Sequence, residues 1–191
     1  LNGVTVTVQP AAGGPVPAPV GAVLHNRVHF IVPEALEAGR ATVRVTKPDG
    51  RFFTGEIRLE LAAPGLFSAD GSGSGPGLIA VLHEDAAGNQ TWSAAFDPAT
   101  GAAVPVSLGP EGVKVYLQLY GTGFRQLAKA LTAQADGMNA GIVSAEAHGE
   151  WPGIDQVRIG PLPRSLAGRG LIGVTVSAGG RRSNAVTVRI E

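Results

Sequence analysis

Val4-Thr5-Val6-Thr7-Val8 places a valine at every second position. Successive side chains of a β-strand point to opposite faces of the sheet, so this stretch puts its valines on one face and its threonines on the other. Such alternation predicts a half-buried strand. The same period occurs in residues 41–46, 56–61, 174–177 and 186–190. These five segments predict an all-β fold.

Glycine and proline separate these segments. The chain of 191 residues contains 28 glycines and 14 prolines without a collagen period. Inside a helix glycine costs about 1 kcal/mol and proline about 3 kcal/mol, whereas both are common in tight turns. Pro48-Asp49-Gly50 and Gly179-Gly180 each lie between two predicted strands and predict hairpins. This composition indicates many short strands.

An internal repeat predicts two domains. Each copy reads as a strand, a proline, a glycine-containing loop and a hairpin, and Pro33 and Leu36 have the same spacing as Pro163 and Leu166. The simplest interpretation is two tandem immunoglobulin-like β-sandwich modules, residues 1–63 and a larger module of residues 64–191. Chance similarity between two β-rich segments is the alternative.

Two segments in the middle of the chain receive specific predictions. Residues 113–120 form a long run that is apolar on both faces, so we expect a central strand. Residues 124–135 are ambiguous. Leu127, Ala130 and Leu131 have helical spacing, which favours a short helix, and a loop followed by a strand is the alternative.

Charge and composition exclude several classes of protein. Lys and Arg together number 15, as do Asp and Glu, so the basic excess of nucleic-acid-binding proteins is missing. The sequence contains no cysteine, which excludes disulfide scaffolds, zinc ribbons and cysteine nucleophiles. No stretch reaches the roughly 18 apolar residues that a spanning helix requires. We therefore predict no nucleic-acid partner and no membrane span.

Candidate metal and cofactor sites are weak. His25 and His29 lie about 13 Å apart if they share a strand, too far for one zinc ion. His83-Glu84-Asp85 reads as a polar strand end. Residues 68–75 contain one acidic residue, Asp70, so they match no calcium loop, and their glycine spacing matches no dinucleotide site. We assign no metal site, no cofactor-binding residue and no cofactor.

Catalytic patterns are also weak. The sequence has no G-x-S-x-G motif, and Gly121-Thr122-Gly123 is more typical of a turn than of a phosphate loop. Asp155 is the most suggestive carboxylate, but together with Gln156 it is expected to bind neighbouring loop amides. We therefore assign no catalytic residue and expect a protein that is not an enzyme.

Trp92 and Trp151 are the only tryptophans. We expect both to pack in a core or between the modules. The alternative is that they lie exposed with Tyr116 or Tyr120 on one flat face, where aromatic rings stack on sugars. The sequence does not identify a ligand.

A family resemblance rests on several motifs. Leu119-Tyr120-Gly121-Thr122-Gly123-Phe124-Arg125 and Pro152-Gly153-Ile154-Asp155-Gln156-Val157 resemble the Solibacter-type C-terminal domain family, which is expanded in the large uncharacterised exported proteins of acidobacteria. Residues 63–67, 163–170 and 183–186 extend the similarity over nearly the whole chain. Arg158-Ile159-Gly160 departs from the usual asparagine-valine pattern, and Pro161 adds a further break, so this strand is expected to end early or lie at an edge.

The resemblance implies a location and a role. It implies a β-rich extracytoplasmic module at the end of a multidomain chain, and it carries no established activity. It also favours the loop and strand for residues 124–135. The start at Leu1 without methionine is expected to reflect a processed or excised piece.

We expect a secreted or cell-surface, non-catalytic structural or interaction module of a larger exported bacterial protein. Its expected partners are upstream domains of the same polypeptide and, through loops or edge strands, other surface proteins or neighbouring copies, with surface assembly or adhesion as the role. The alternative is a carbohydrate-binding module accessory to a secreted hydrolase.

Overall fold

The computed structural model describes residues 1–191 and confirms the all-β prediction. Its helical content consists of two 3-10 segments, Arg125–Ala130 and Arg164–Leu166, and no helix is long and apolar enough to cross a membrane. The strands are β1 Thr5–Pro10, β2 Val16–Ala18, β3 Val20–Val23, β4 Val28–Phe30, β5 Gly39–Thr46, β6 Phe52–Leu59, β7 Gly65–Leu66, β8 Ile79–Glu84, β9 Gln90–Ala94, β10 Pro105–Val106, β11 Lys114–Thr122, β12 Thr132–Ala135, β13 Met138–Ala140, β14 Ile142–Ala147, β15 Asp155–Ile159, β16 Gly170–Ala178, β17 Arg181–Arg182 and β18 Val186–Ile190.

The chain divides into two compact units, Leu1–Leu61 and Ala62–Glu191. The division falls after Leu61, whereas the sequence placed it after residue 63. Both units contain a Pro-x-x-Leu turn: the N–H of Leu36 donates to the carbonyl of Pro33 at 3.3 Å, and the N–H of Leu166 donates to that of Pro163 at 3.0 Å. The immunoglobulin-like assignment and the tandem repeat remain predictions.

The first unit is built on an antiparallel sheet of order β2-β1-β5-β6. The predicted burial of one face of β1 is confirmed, since Val6 and Val8 are buried opposite Val45 and Val43 of β5. A two-stranded hairpin of β3 and β4 contributes Phe30 to the same small core. The predicted hairpin at residues 48–50 is present and joins β5 to β6.

The second unit is a sandwich of two sheets around a larger core. One sheet has the order β14-β15-β11-β8-β9, with β7 paired to β11, and the other has the order β10-β18-β16-β12-β13, with β17 paired to β16. Strand β11 is central, as predicted, because it pairs with β8 on one side and β15 on the other. Strand β15 ends at Ile159 as expected, but it lies inside the sheet rather than at an edge.

Residues 124–135 form no α-helix. Leu127 has non-helical backbone angles within the 3-10 segment, and Leu131 is extended. The following residues form β12, in which Ala133 and Ala135 pair with Val176 and Val174 of β16. Because both alanines are buried in the core, tertiary packing outweighs the helical propensity of this segment.

Candidate ligand-binding face

The outer face of the sheet β14-β15-β11-β8-β9 carries the most distinctive side chains of the molecule. On β11, Val115, Leu117 and Leu119 point into the core and are buried. The alternate positions Tyr116, Gln118 and Tyr120 therefore point outward. The cross-strand register places Trp92 on this face as well, because Trp92 pairs with Leu82 and Leu82 pairs with Tyr116.

We call this surface the aromatic face. It is defined by the side chains Trp92, Tyr116, Tyr120, His148, Trp151 and Arg158. Trp92 is 50% exposed and Trp151 is 54% exposed, so the prediction that the tryptophans pack in a core is wrong. Trp92 lies on the edge strand β9 and Trp151 in the turn after β14, where neither meets the opposite sheet.

Arg158 connects the middle of the face to Trp92. Its guanidinium carbon lies 5.1 Å from the centre of the Trp92 ring, and its Nε donates to Oε1 of Gln118 at 3.0 Å. Strands β8 and β11 separate the two residues, and Ala80 opposite Gln118 leaves room for the arginine side chain to cross. The cation–π contact and the hydrogen bond fix the orientation of this group.

The residues that lie beneath Arg158 and the aromatic rings are buried. Gln118 is only 4% exposed and Leu82 only 2%, although both point away from the core. Larger neighbours on the face cover them, and the amide oxygen of Gln118 is satisfied by Arg158. The face is thus a packed layer of side chains rather than a set of separate solvated groups.

A ladder of three rings forms the other end of the face. The rings of Tyr120 and His148 are 5.7 Å apart, and the rings of His148 and Trp151 are 4.6 Å apart and nearly parallel. Nδ1 of His148 accepts hydrogen bonds from the backbone N–H groups of Glu150 at 3.1 Å and Trp151 at 3.2 Å. The imidazole thus holds the turn that carries Trp151, and one side of the indole is left uncovered.

Charges on the face are balanced. Lys114 pairs with Glu84 at 3.0 Å, and this contact lowers the pKa of the Glu84 carboxyl and raises the pKa of the lysine. Glu146 accepts a hydrogen bond from Gln156 at 3.0 Å. Arg158 is the remaining cation. A face with this composition offers hydrogen-bonding groups without a strong field of either sign.

The two aromatic ends are well separated. Trp92 and Tyr120 lie two strands and four residues apart in the register, which corresponds to about 16 Å along the sheet. The ladder extends the surface beyond Tyr120. The arrangement suits an elongated ligand with apolar patches at both ends and hydrogen-bonding groups between them.

Asp155 lies in the core beneath this sheet, on the opposite side from the aromatic face. Its buried carboxylate accepts hydrogen bonds from the backbone N–H groups of Phe124 at 2.8 Å and Arg125 at 3.1 Å, and it pairs with the Arg125 guanidinium. The expected bonds to loop amides are therefore present for Asp155. Gln156 differs, because it points to the outer face and binds Glu146.

The candidate metal-ligating side chains at residues 83–85 bind separate partners. Nε2 of His83 lies 2.9 Å from the carbonyl of Ser107, while Glu84 binds Lys114 and Asp85 closes the turn to Asn89. No group of three or more His, Asp or Glu side chains is arranged to hold a metal ion. A cavity of about 400 Å³ in the first unit has Glu37 and Arg40 as its only charged lining residues.

The glycine-serine loop of residues 68–75 is closed by its own side chains. Asp70 accepts hydrogen bonds from the N–H and hydroxyl of Ser72, and these bonds lower the pKa of its carboxyl. The hydroxyl of Ser72 accepts from Ser74 and Gly75. The polar atoms that could suggest an ion site are thus used within the loop.

No protein-family model matches the chain, and no curated protein matches its sequence. The family resemblance therefore stays a prediction, and the case for function rests on the geometry of the aromatic face. One sequence signal indicated this face, namely Tyr116, Gln118 and Tyr120 at alternate positions of the central strand. Strands β9 and β14, which complete it, are short and were not predicted.

Proposed function

We propose that this chain is a non-catalytic carbohydrate-binding module of an exported bacterial protein and that it binds glycan across the aromatic face. The observation that carries the proposal is the half-exposure of both tryptophans on the face that also holds both tyrosines. Large aromatic side chains held at a surface by neighbouring contacts are typical of a binding site.

The chemistry of the face matches that of a sugar. A pyranose ring presents C–H bonds on its faces, which pack on an indole, and hydroxyl groups at its rim, which need planar hydrogen-bonding partners. The face supplies indoles at Trp92 and Trp151 and planar polar groups at Gln156 and Arg158. Its balanced charge favours an uncharged glycan over a polyanion.

The face is also ordered before any ligand binds. Arg158 is held by Gln118 and Trp92, and Trp151 is held by His148. Side chains that are already fixed lose less conformational entropy on binding. This preorganisation supports a ligand-binding role over an ordinary solvent-exposed sheet surface.

The direct test is binding of the full chain to insoluble cellulose, chitin and xylan and to a glycan array. Trp92→Ala and Trp151→Ala should each weaken binding about tenfold, because each removes one stacking platform. Leu171→Ala removes an exposed apolar side chain from the other sheet of the same unit and serves as the matched control. Each variant is checked for folding by its unfolding curve. Absence of glycan binding, or equal binding by the Trp92→Ala/Trp151→Ala double variant, would contradict the proposal.

A structural or interaction module for surface assembly or adhesion is the second candidate. Tryptophan, tyrosine and arginine are enriched in protein interfaces, and the aromatic face contains all three, with Arg158 beside Trp92 and Tyr120 beside His148. Under this proposal, upstream domains of the same secreted polypeptide or other surface proteins would cover the face. Loss of tryptophan exposure in the longer polypeptide, measured by acrylamide quenching, would favour it over glycan binding.

A further inference from the structure

The first unit leaves one long strand edge without a partner. Strand β6 lies at the end of the order β2-β1-β5-β6 and pairs only with β5. Its register runs without a bulge from Phe52 to Leu59, and its eight residues make it the longest edge strand of the molecule. A regular edge of this kind is a template for another strand.

The opposite edge of the same sheet is protected. Strand β2 has three residues, and Pro15, Pro17 and Pro19 lie in and beside it. Proline has no N–H group, so a partner strand cannot form a regular ladder there. Strand β6 contains no proline and no lysine. The two edges of this sheet therefore differ in their capacity to pair.

The free hydrogen-bonding groups of β6 can be assigned to particular residues. The N–H of Lys47 donates to the carbonyl of Arg51 at 2.8 Å, so these two residues form a hydrogen-bonded pair. Hydrogen-bonded and non-hydrogen-bonded pairs alternate along an antiparallel ladder. The odd residues of β6 therefore bond to β5, and the even residues Thr54, Glu56 and Arg58 direct their N–H and C=O groups outward.

We propose that two copies of this chain pair antiparallel through β6, with Ile57 of one copy opposite Ile57 of the other. Even residues must face even residues, which limits the two-fold registers to those centred on one residue. The register centred on Ile57 places Glu56 of each copy opposite Arg58 of the other. A centre at Glu56 or Arg58 would oppose like charges, and a centre at Gly55 would form no ion pair.

This register also matches the two faces of the sheet. Phe53 of each copy comes opposite Leu61 of the other on the core side. In the single chain these two side chains are 62% and 70% exposed. Ile57 lies between them and already packs against the core of the first unit. The charged pairs lie on the solvent side. Four backbone hydrogen bonds join the two Glu56–Arg58 pairs.

Disulfide cross-linking tests the register, because the chain has no cysteine of its own. A non-hydrogen-bonded pair has its Cα atoms about 4.5 Å apart, within reach of a disulfide. Ile57→Cys should give a covalent dimer under mild oxidation. Gly55→Cys is the matched control, since it lies on the same face of β6 with open space around its Cβ and would face Leu59. Equal cross-linking at both positions, or cross-linking at position 55 alone, would overturn the register.

Charge exchange tests the pairing without a covalent bond. Glu56→Arg and Arg58→Glu should each raise the dimer dissociation constant about tenfold, since two symmetry-related attractions become repulsions. The double variant should restore the original value. Sedimentation velocity over a concentration series gives the constants. A wild-type chain that stays monomeric throughout, or a double variant no tighter than the singles, would overturn the proposal.

Discussion

The side-chain amide of Asn184 pairs with the backbone of Leu66 in both directions. Its Oδ1 accepts the Leu66 N–H at 2.8 Å, and its Nδ2 donates to the Leu66 carbonyl at 2.9 Å. The same Nδ2 donates to the carbonyl of Gly73 at 2.6 Å. One side chain thus joins the short strand β7 and the glycine-serine loop to the segment that precedes β18.

Replacing Asn184 should destabilise the second unit. Asn184→Ala removes two part-buried hydrogen bonds to Leu66 and an exposed one to Gly73, and we expect the free energy of unfolding to fall by about 2 kcal/mol in a urea titration. Asn139→Ala makes the same change at an exposed position of β13 and should stay within about 0.5 kcal/mol of the wild type. Equal losses in the two variants would show that the Leu66 contact does not stabilise the fold.

Asp155 is predicted to be a structural carboxylate. Asp155→Asn keeps the size of the side chain but removes the negative charge of a buried group that accepts two backbone N–H bonds and pairs with Arg125. We expect a loss of about 3 kcal/mol in the free energy of unfolding. Asp136→Asn breaks the more exposed pair with Arg169 and should cost less than about 1 kcal/mol.

Glycan binding by the folded fraction of Asp155→Asn should match that of the wild type. The Asp155 carboxylate lies on the core side of β15, whereas the proposed binding groups lie on the other side. A stable variant with weakened binding would instead assign Asp155 to the ligand site.

The turn at Asp85 gives a prediction about pH. Its carboxylate accepts hydrogen bonds from the Asn89 side chain and from the backbone N–H groups of Ala87 and Asn89, each between 2.8 and 2.9 Å. These bonds hold the pKa of Asp85 below its ordinary value, with the Asn89 side chain the largest cause. The contribution of the Asp85 carboxylate to the free energy of unfolding is therefore complete above its unfolded-state pKa and is lost as the pH falls through its folded-state pKa.

Asn89→Ala should raise the pKa of Asp85 towards its ordinary value, because the largest cause of the depression is removed. Nuclear magnetic resonance titration of the carboxyl carbon measures this change directly. Asn139→Ala should leave the pKa of Asp85 where it is. An unchanged pKa in Asn89→Ala would assign the depression to the backbone N–H groups alone.

The sequence predicted the fold well where one face of a strand is buried. Val6 and Val8 alternate with polar residues because one side of β1 meets the core, and that pattern is visible in the sequence. Residues 113–120 were predicted to be a central strand because the run is apolar on both faces, and β11 pairs with β8 on one side and β15 on the other. The sequence could not show that residues 124–135 form a 3-10 segment followed by β12. Ala133 and Ala135 adopt the extended conformation because they pair with β16, and local propensity does not reveal this pairing.

The candidate site was harder to predict. Trp92 and Trp151 were expected inside because large aromatic side chains are usually well buried, but each is about half exposed, with Arg158 beside the Trp92 ring and His148 stacked on the Trp151 ring. Their shared location depends on the register of β8, β9 and β11 and on the ring stack of His148, which are long-range relationships. The alternation of Tyr116, Gln118 and Tyr120 was the only local sign.

The prolines along β2 limit the size that an assembly built on the first sheet can reach. Because the prolines prevent regular strand pairing at the β2 edge of that sheet, each copy of the chain has only the β6 edge available for pairing. Two such subunits satisfy each other and leave nothing for a third, so growth by this route would stop at a symmetric pair. Any larger assembly would have to use surfaces outside this sheet.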